Sequence, residues 1–246
     1  MSIKRHIPNT ITLLNLLCGS VAIIFAFKGW QLFDVYLIFS AAVFDFFDGF
    51  TARLLKAYSP IGKELDSLAD LVSFGLAPSI LIFYRLSSFV QSNPTMPAIL
   101  ATLLPYIPLS ITLASALRLA IFNTDTRQTN GFIGLPTPAN AILIGSFIHY
   151  TVFNPNLDHL FENIYFYPLS ALFLSYLLVS DIPMFSLKIK SLEYKANKDI
   201  YHFAALSILL VLPVVIFGAK WSLWLVLTFI MYILYNIIIR LKKLVF

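Results

Sequence analysis

Long apolar runs broken by short polar stretches organise this chain. Eight runs occupy roughly 10–27, 32–50, 66–84, 98–122, 136–153, 163–180, 203–217 and 221–240. A helix that crosses a bilayer needs about 20 predominantly apolar residues. Apolar positions are continuous within the runs, whereas the strands of a membrane barrel would be short and alternating. The pattern therefore predicts an all-α, polytopic membrane bundle of about eight transmembrane helices. The seventh run is short and interrupted by Pro213, so it is the weakest span.

Composition sharpens that picture. Of 246 residues, 59% are hydrophobic and only 12% charged. Spans at this density leave no room for a separate soluble domain, so residues 1–246 are expected to form one integral domain. The single cysteine, Cys18, lies inside the first run and excludes an internal disulfide. The N-terminal stretch resembles a signal peptide, with Lys4 and Arg5 ahead of an apolar run. That run is long and has no small-x-small end, which predicts an uncleaved first helix.

The net charge of +5 matters less than its distribution. With eight helices and a cytoplasmic N-terminus, fourteen of the seventeen basic residues fall on the cytoplasmic side. These are Lys4, Arg5, Arg53, Lys56, Lys63, Arg118, Arg127, Lys188, Lys190, Lys195, Lys198, Arg240, Lys242 and Lys243. Lys28, Arg85 and Lys220 fall opposite. The positive-inside rule predicts such a bias and places both termini in the cytoplasm. The lysine-rich segment at 181–202 reads either as a solvated connector or as a stretch resting on anionic headgroups.

The stretch "DFFDGFTARLLKAYSPIGKELDSLAD" carries the chemistry. Asp45 and Asp48 are three apart, Asp66 and Asp70 four apart, and on helices both spacings put a pair on one face. Ser59, Pro60 and Gly62 signal a turn between them. Two helices joined there can aim two carboxylate pairs at each other. Four ionised carboxylates at close range repel, so protons or cations are required. A hard oxygen set with no Cys/His partners favours magnesium, manganese or calcium. Two divalent ions on shared carboxylates make the clamp used in phosphoryl transfer. Gly49 and Ala52 keep one helix face low for a ligand, and Arg53 and Lys63 offer charged donors to phosphate. Solvated interfacial acids are the bland alternative. A metal or proton transporter is another, but it would place acids on several helices near the midplane. The second half of the chain has no acid inside a run.

At these residues the sequence resembles the CDP-alcohol phosphotransferase family, whose signature reads D-x2-D-G-x2-A-R-x8-G-x3-D-x3-D. Asp45, Asp48, Gly49, Ala52, Arg53, Gly62, Asp66 and Asp70 match every fixed position. The resemblance implies displacement of CMP from a CDP-linked lipid by an alcohol. It implies that Asp45, Asp48, Asp66 and Asp70 hold two divalent ions, Mg2+ or Mn2+, with Asp70 also the general base. The implied CDP-binding set is Asn9, Thr12, Asp48, Gly49, Ala52, Arg53, Ser59, Gly62, Lys63 and Asp66. Asn9 and Thr12 enter it through "PNTIT", which is similar to the family's first-helix segment. A homodimer in a bacterial inner membrane, with the site facing the cytoplasm, is implied too; nucleic acid is not an expected partner.

A second stretch, Ser115 to Ala141, bears on the acceptor. Its "ALRLAIFN" and "GFIGLPTPANA" look like the segment that marks serine-using members of the family. The usual form has an Arg where this chain has Ile121. Serine carries a carboxylate and an ammonium, so its site needs a cation and hydrogen-bonding groups near the metal centre. Arg118, Asn123 and Thr137 are the expected serine contacts. The implied reaction joins CDP-diacylglycerol and L-serine into phosphatidylserine and CMP. A phosphatidylglycerophosphate- or phosphatidylinositol-phosphate-type synthase is the alternative, although six spans are usual there and a phosphorylated acceptor should bring extra Arg and Lys.

Overall fold

The structure, a computed structural model, describes residues 6–93, 95–125, 132–161, 163, 165–185 and 197–245. Lys4, Arg5, Arg127, Lys188, Lys190 and Lys195 lie outside the described residues, as does the middle of the lysine-rich segment. The protein is an all-α membrane bundle. Its helices are α1 (His6–Phe27), α2 (Gln31–Leu54), α3 (Pro60–Asp70), α4 (Ala77–Ser92), α5 (Ala98–Leu103), α6 (Leu109–Thr124), α7 (Thr137–Val152), α8 (Pro155–Phe161), α9 (Phe166–Val179), α10 (Lys198–Leu209), α11 (Val211–Ile216) and α12 (Trp221–Val245). Each of the eight apolar runs is mostly helical among the described residues.

Among the described residues, five helical stretches are long and apolar enough to cross a membrane: His6–Phe27, Gln31–Leu54, Pro60–Ser92, Ala98–Thr124 and Trp221–Arg240. Leu17, Ile24, Leu113, Leu169 and Tyr176 are each more than half exposed. Such apolar surface suits lipid, because water would penalise it. The seventh run breaks between α10 and α11 at Leu210, three residues before Pro213. Helix α7 forms the centre. It buries Asn140, Ser146, His149 and Thr151 along with its apolar residues and packs on α2 and α12. The described strands, β1 (Phe132–Ile133) and β2 (Pro183–Met184), form one short antiparallel pair.

Local signals explain how the motif is presented. Helix α2 ends with Lys56 at φ 49°, while the Ala57 amide donates to the Ala52 carbonyl and the Lys56 amide to that of Arg53. This is a Schellman closure with lysine in the place glycine usually takes. A non-glycine residue there carries about 1 kcal/mol of strain. Ser59 then caps α3: its Oγ accepts from the Gly62 amide at 2.9 Å, and Pro60 opens the first turn.

After Asp70 the helix widens into a π-helical stretch, Leu71–Leu76. The Ala77 amide reaches back five residues to the Val72 carbonyl, just before Pro78, which has no amide hydrogen to continue the α ladder. The widened turn is gripped on two sides. Gly19 of α1 meets Ser73 so closely that a Cβ there would lie 2.6 Å from the Ser73 Cα. On the other side, a Cβ on Gly75 would lie 3.0 Å from Ser115 Cβ of α6. Small residues therefore draw α1 and α6 onto the segment that carries Asp70.

Candidate active site

The turn between α2 and α3 places the signature residues on facing helix ends. Oxygens of Asp45, Asp48 and Asp66 all lie within 4.8 Å of one another. Among the described residues this is the one cluster of at least three potential metal ligands. Its donors are all hard carboxylate oxygens, which fits a divalent ion of the magnesium or manganese type and not a soft metal. Asp48 is buried, and Thr12 Oγ1 donates to its Oδ2 at 2.6 Å. Helix α1 therefore fixes one member of the cluster.

Asp70 stands apart from that trio, one turn beyond Asp66 and deeper in the bundle. It is buried but within Coulombic reach of Asp45, Asp66 and Asp48. Asn15 Nδ2 donates to its Oδ1 at 3.2 Å. Asn15 did not emerge from the sequence. The signal was available, since Asn9, Thr12 and Asn15 recur at three-residue spacing on α1.

All ten residues of the expected CDP-binding set line one cleft of about 220 Å³, together with Pro8, Ala57 and Tyr58. The set runs from Asn9 and Thr12 on α1, through Asp48, Gly49, Ala52 and Arg53 on α2, to Ser59, Gly62, Lys63 and Asp66 around α3. A Cβ on Gly49 would meet nothing nearer than Arg53 Nη1 at 3.5 Å. Protein packing does not demand glycine there; the space it leaves opens onto the cleft.

The three expected acceptor residues occupy two levels beside this cleft. Asn123, near the end of α6, is tied to α3. Its Nδ2 donates to Ser67 Oγ at 2.8 Å, and its carbonyl accepts from Lys63 Nζ at 3.0 Å. Arg118 lies lower on α6, 6% exposed, with Nη1 donating to Thr137 Oγ1 at a long 3.4 Å. Phe122 and Phe132 flank the guanidinium at 5.8 and 5.9 Å. Arg118 is also within Coulombic reach of Asp70. The structure thus brings Arg118 and Thr137 together, with Arg118 in the field of Asp70, and gives Asn123 a role in docking α6 on α3.

A buried carboxylate next to an acidic trio, with an open polar cleft on one side and a buried arginine on the other, is suited to phosphoryl-group transfer. The family model for CDP-alcohol phosphatidyltransferase matches residues 5–172, and the chain belongs to that family. It is similar to a CDP-diacylglycerol–serine O-phosphatidyltransferase from Bacillus subtilis strain 168, 38% identical over 134 residues, covering 54% of this chain and 70% of that one. A protein of the same name from Methanocaldococcus jannaschii is 36% identical over 141 residues, covering 57% of this chain and 59% of that one. An archaetidylserine synthase from Methanothermobacter thermautotrophicus is 33% identical over 143 residues, covering 57% of each chain. The match thus spans less than two thirds of either archaeal relative.

Proposed function

We propose that the chain transfers the phosphatidyl group of CDP-diacylglycerol to the hydroxyl of L-serine, giving phosphatidylserine and CMP. The observation that carries this reading is the continuity of the site. One cleft gathers the ten nucleotide-set residues, Asp48 and Asp66 of the acidic trio are on its wall, and Asp70, one turn beyond Asp66, is within Coulombic reach of Arg118. The names of the similar proteins supply the serine acceptor.

In this reading the CDP head enters the cleft and the acyl chains run between helices into lipid. Arg53 and Lys63 donate to phosphate oxygens. Asp45, Asp48, Asp66 and Asp70 would hold two divalent ions, magnesium or manganese, whose charge would offset that of the diphosphate and of the departing CMP. Asp70 accepts the proton of the serine hydroxyl as Oγ bonds to the lipid-bearing phosphorus and the bond from that phosphorus to CMP breaks. Asn15 holds one oxygen of Asp70, leaving the other for the proton. Holding the two reactants in place lowers a barrier that a weak base alone would not. Arg118 binds the serine carboxylate, with Thr137 and Asn123 as polar neighbours. The charge bias across the loops supports an active face in the cytoplasm, and the bacterial relatives support a bacterial inner membrane. Assembly as a homodimer rests on the family alone.

Purified protein with CDP-diacylglycerol and Mg2+ is expected to release CMP with L-serine. It should not do so with glycerol 3-phosphate or inositol phosphate. CMP release with a phosphorylated acceptor instead would transfer the reading to the other synthase type. No CMP with any acceptor, alongside metal flux in liposomes, would make the chain a transporter. Asp70→Asn should abolish turnover while largely sparing CDP-lipid binding, and unchanged turnover would remove Asp70 as the base.

A further inference from the structure

We propose that Asp181 reads the ammonium group of the acceptor, so that Arg118 and Asp181 together select a small zwitterion. The inference deepens the serine reading and rests on it. A second, small pocket opens where α6, β1 and the end of α9 meet, and its lining includes Arg118, Ile121, Asp125, Ile133, Ser180 and Asp181. Arg118 is the cation of this pocket. It is more than nine-tenths buried, and its Nε has no hydrogen-bond partner. A buried guanidinium with an orphan donor is costly unless a ligand completes it. A carboxylate is the group whose geometry matches that planar fork.

The carboxylates on the pocket's lining restrict what that ligand can be. Asp125 is already engaged in an interaction within the protein. Asp181 is exposed and follows directly on Ser180 at the C-terminal end of α9. A free phosphate monoester would bring two negative charges toward both acids, whereas an amino acid brings one ammonium for an acid and one carboxylate for Arg118. Arg118 is also the residue within Coulombic reach of Asp70. A ligand held by its carboxylate there is anchored on the side chain that feels the field of the base.

Asp181 is held by backbone geometry. Phe132 pairs with Met184 and Ile133 with Pro183. The Gly134 amide donates to the Ile182 carbonyl at 2.9 Å, and the Leu135 amide to that of Leu177 at 2.9 Å. Gly134 has φ 76°, and a Cβ there would strike the Leu178 carbonyl oxygen. The "GFIGLP" turn thus fastens the start of α7 to the end of α9, with Asp181 on the pocket wall. Asp181 also lies beyond residue 172, where the family match ends. A residue that chooses the acceptor can differ between members that share the CMP-releasing chemistry.

The test compares L-serine with 3-hydroxypropanoate, which is serine without its ammonium. Asp181→Asn should raise the apparent KM for L-serine about tenfold or more, the size expected on losing a charge-assisted hydrogen bond. It should reduce the preference for L-serine over 3-hydroxypropanoate in proportion and leave the KM for CDP-diacylglycerol where it was. Asp181→Glu keeps the charge and should keep the preference. An unchanged serine KM and preference in Asp181→Asn overturns the proposal, as does equal loss of preference in both variants, which would mean that shape is being read. Failure of the unaltered protein to release CMP with L-serine sinks the parent reading with it, and is seen before any variant is made.

Discussion

Two polar clusters sit at opposite ends of this bundle and are built on opposite principles. At the end formed by the α2–α3 turn, Asp45, Asp48 and Asp66 crowd like charges within 4.8 Å. At the other end, Arg85 of α4 donates Nη1 to Tyr167 at 3.0 Å and Nη2 to Gln31 at 2.9 Å, with the buried Asp34 in Coulombic reach. The second cluster pairs charge of both signs and ties α4 to α2 and α9 with its own bonds. The first gathers charge of one sign, and the cations of its own helices, Arg53 and Lys63, are exposed and line the cleft. Carboxylates crowded together repel, and a bound cation relieves that repulsion. On the function proposed above, the contrast separates a cluster that serves the fold from one that serves a ligand.

The largest effect expected from breaking this contrast is at the acidic end. Asp66→Asn should lower CMP release by about a thousandfold or more, the scale seen when a main electrostatic stabiliser is lost. The sign of its stability effect is the sharper test. Without divalent ions the variant should melt higher than the unaltered protein, because one repelling charge is gone. The melting rise that Mg2+ gives the unaltered protein should shrink or vanish, since that rise is ligand linkage. Thermal unfolding in detergent with and without Mg2+ measures both. A variant that melts lower in metal-free buffer would make the trio a structural cluster.

Much of the acidic end was legible in the sequence, because it depends on spacing within two neighbouring helices. Gaps of three and four residues and a capped turn suffice to bring Asp45, Asp48 and Asp66 together. The separation of Asp70 from the trio was not legible. It follows from depth along α3 and from the π-helical stretch, whose cue, Pro78, lies eight residues further on. The Asn15–Asp70 bond and the nearness of Arg118 to Asp70 depend on how α1 and α6 seat against that stretch. Such contacts between distant segments leave no periodic trace. The Arg85 cluster was hidden for the same reason: Gln31, Arg85 and Tyr167 belong to three separate runs, and only packing unites them. Helix existence was readable throughout, whereas the single run at 66–84 proved to be the middle of a longer stretch, Pro60–Ser92.

At the end where charges of both signs meet the expected outcome is reversed, stability lost and chemistry spared. Arg85→Met leaves Asp34 without its counter-charge and should destabilise the protein by about 3 kcal/mol. Adding Asp34→Asn should recover most of that loss, because the stranded charge goes with it. The apparent KM for serine and for CDP-diacylglycerol should stay put in both variants, since neither residue lies near the cleft. A single variant as stable as its double would show that the two residues are not coupled.

The smallest effect concerns Ser59, which belongs to both sides of the comparison. Its hydroxyl caps α3, and the same side chain lines the cleft. Ser59→Ala should lower stability by about 1 kcal/mol, the usual value of such a cap. Ser59→Asp restores a capping oxygen and favours the positive end of the helix. It also sets a negative charge where a diphosphate is to bind. Melting should therefore recover in Ser59→Asp while the KM for CDP-diacylglycerol rises further than in Ser59→Ala. If both quantities recovered together, Ser59 would serve the helix alone, and the nucleotide would lie elsewhere along the cleft.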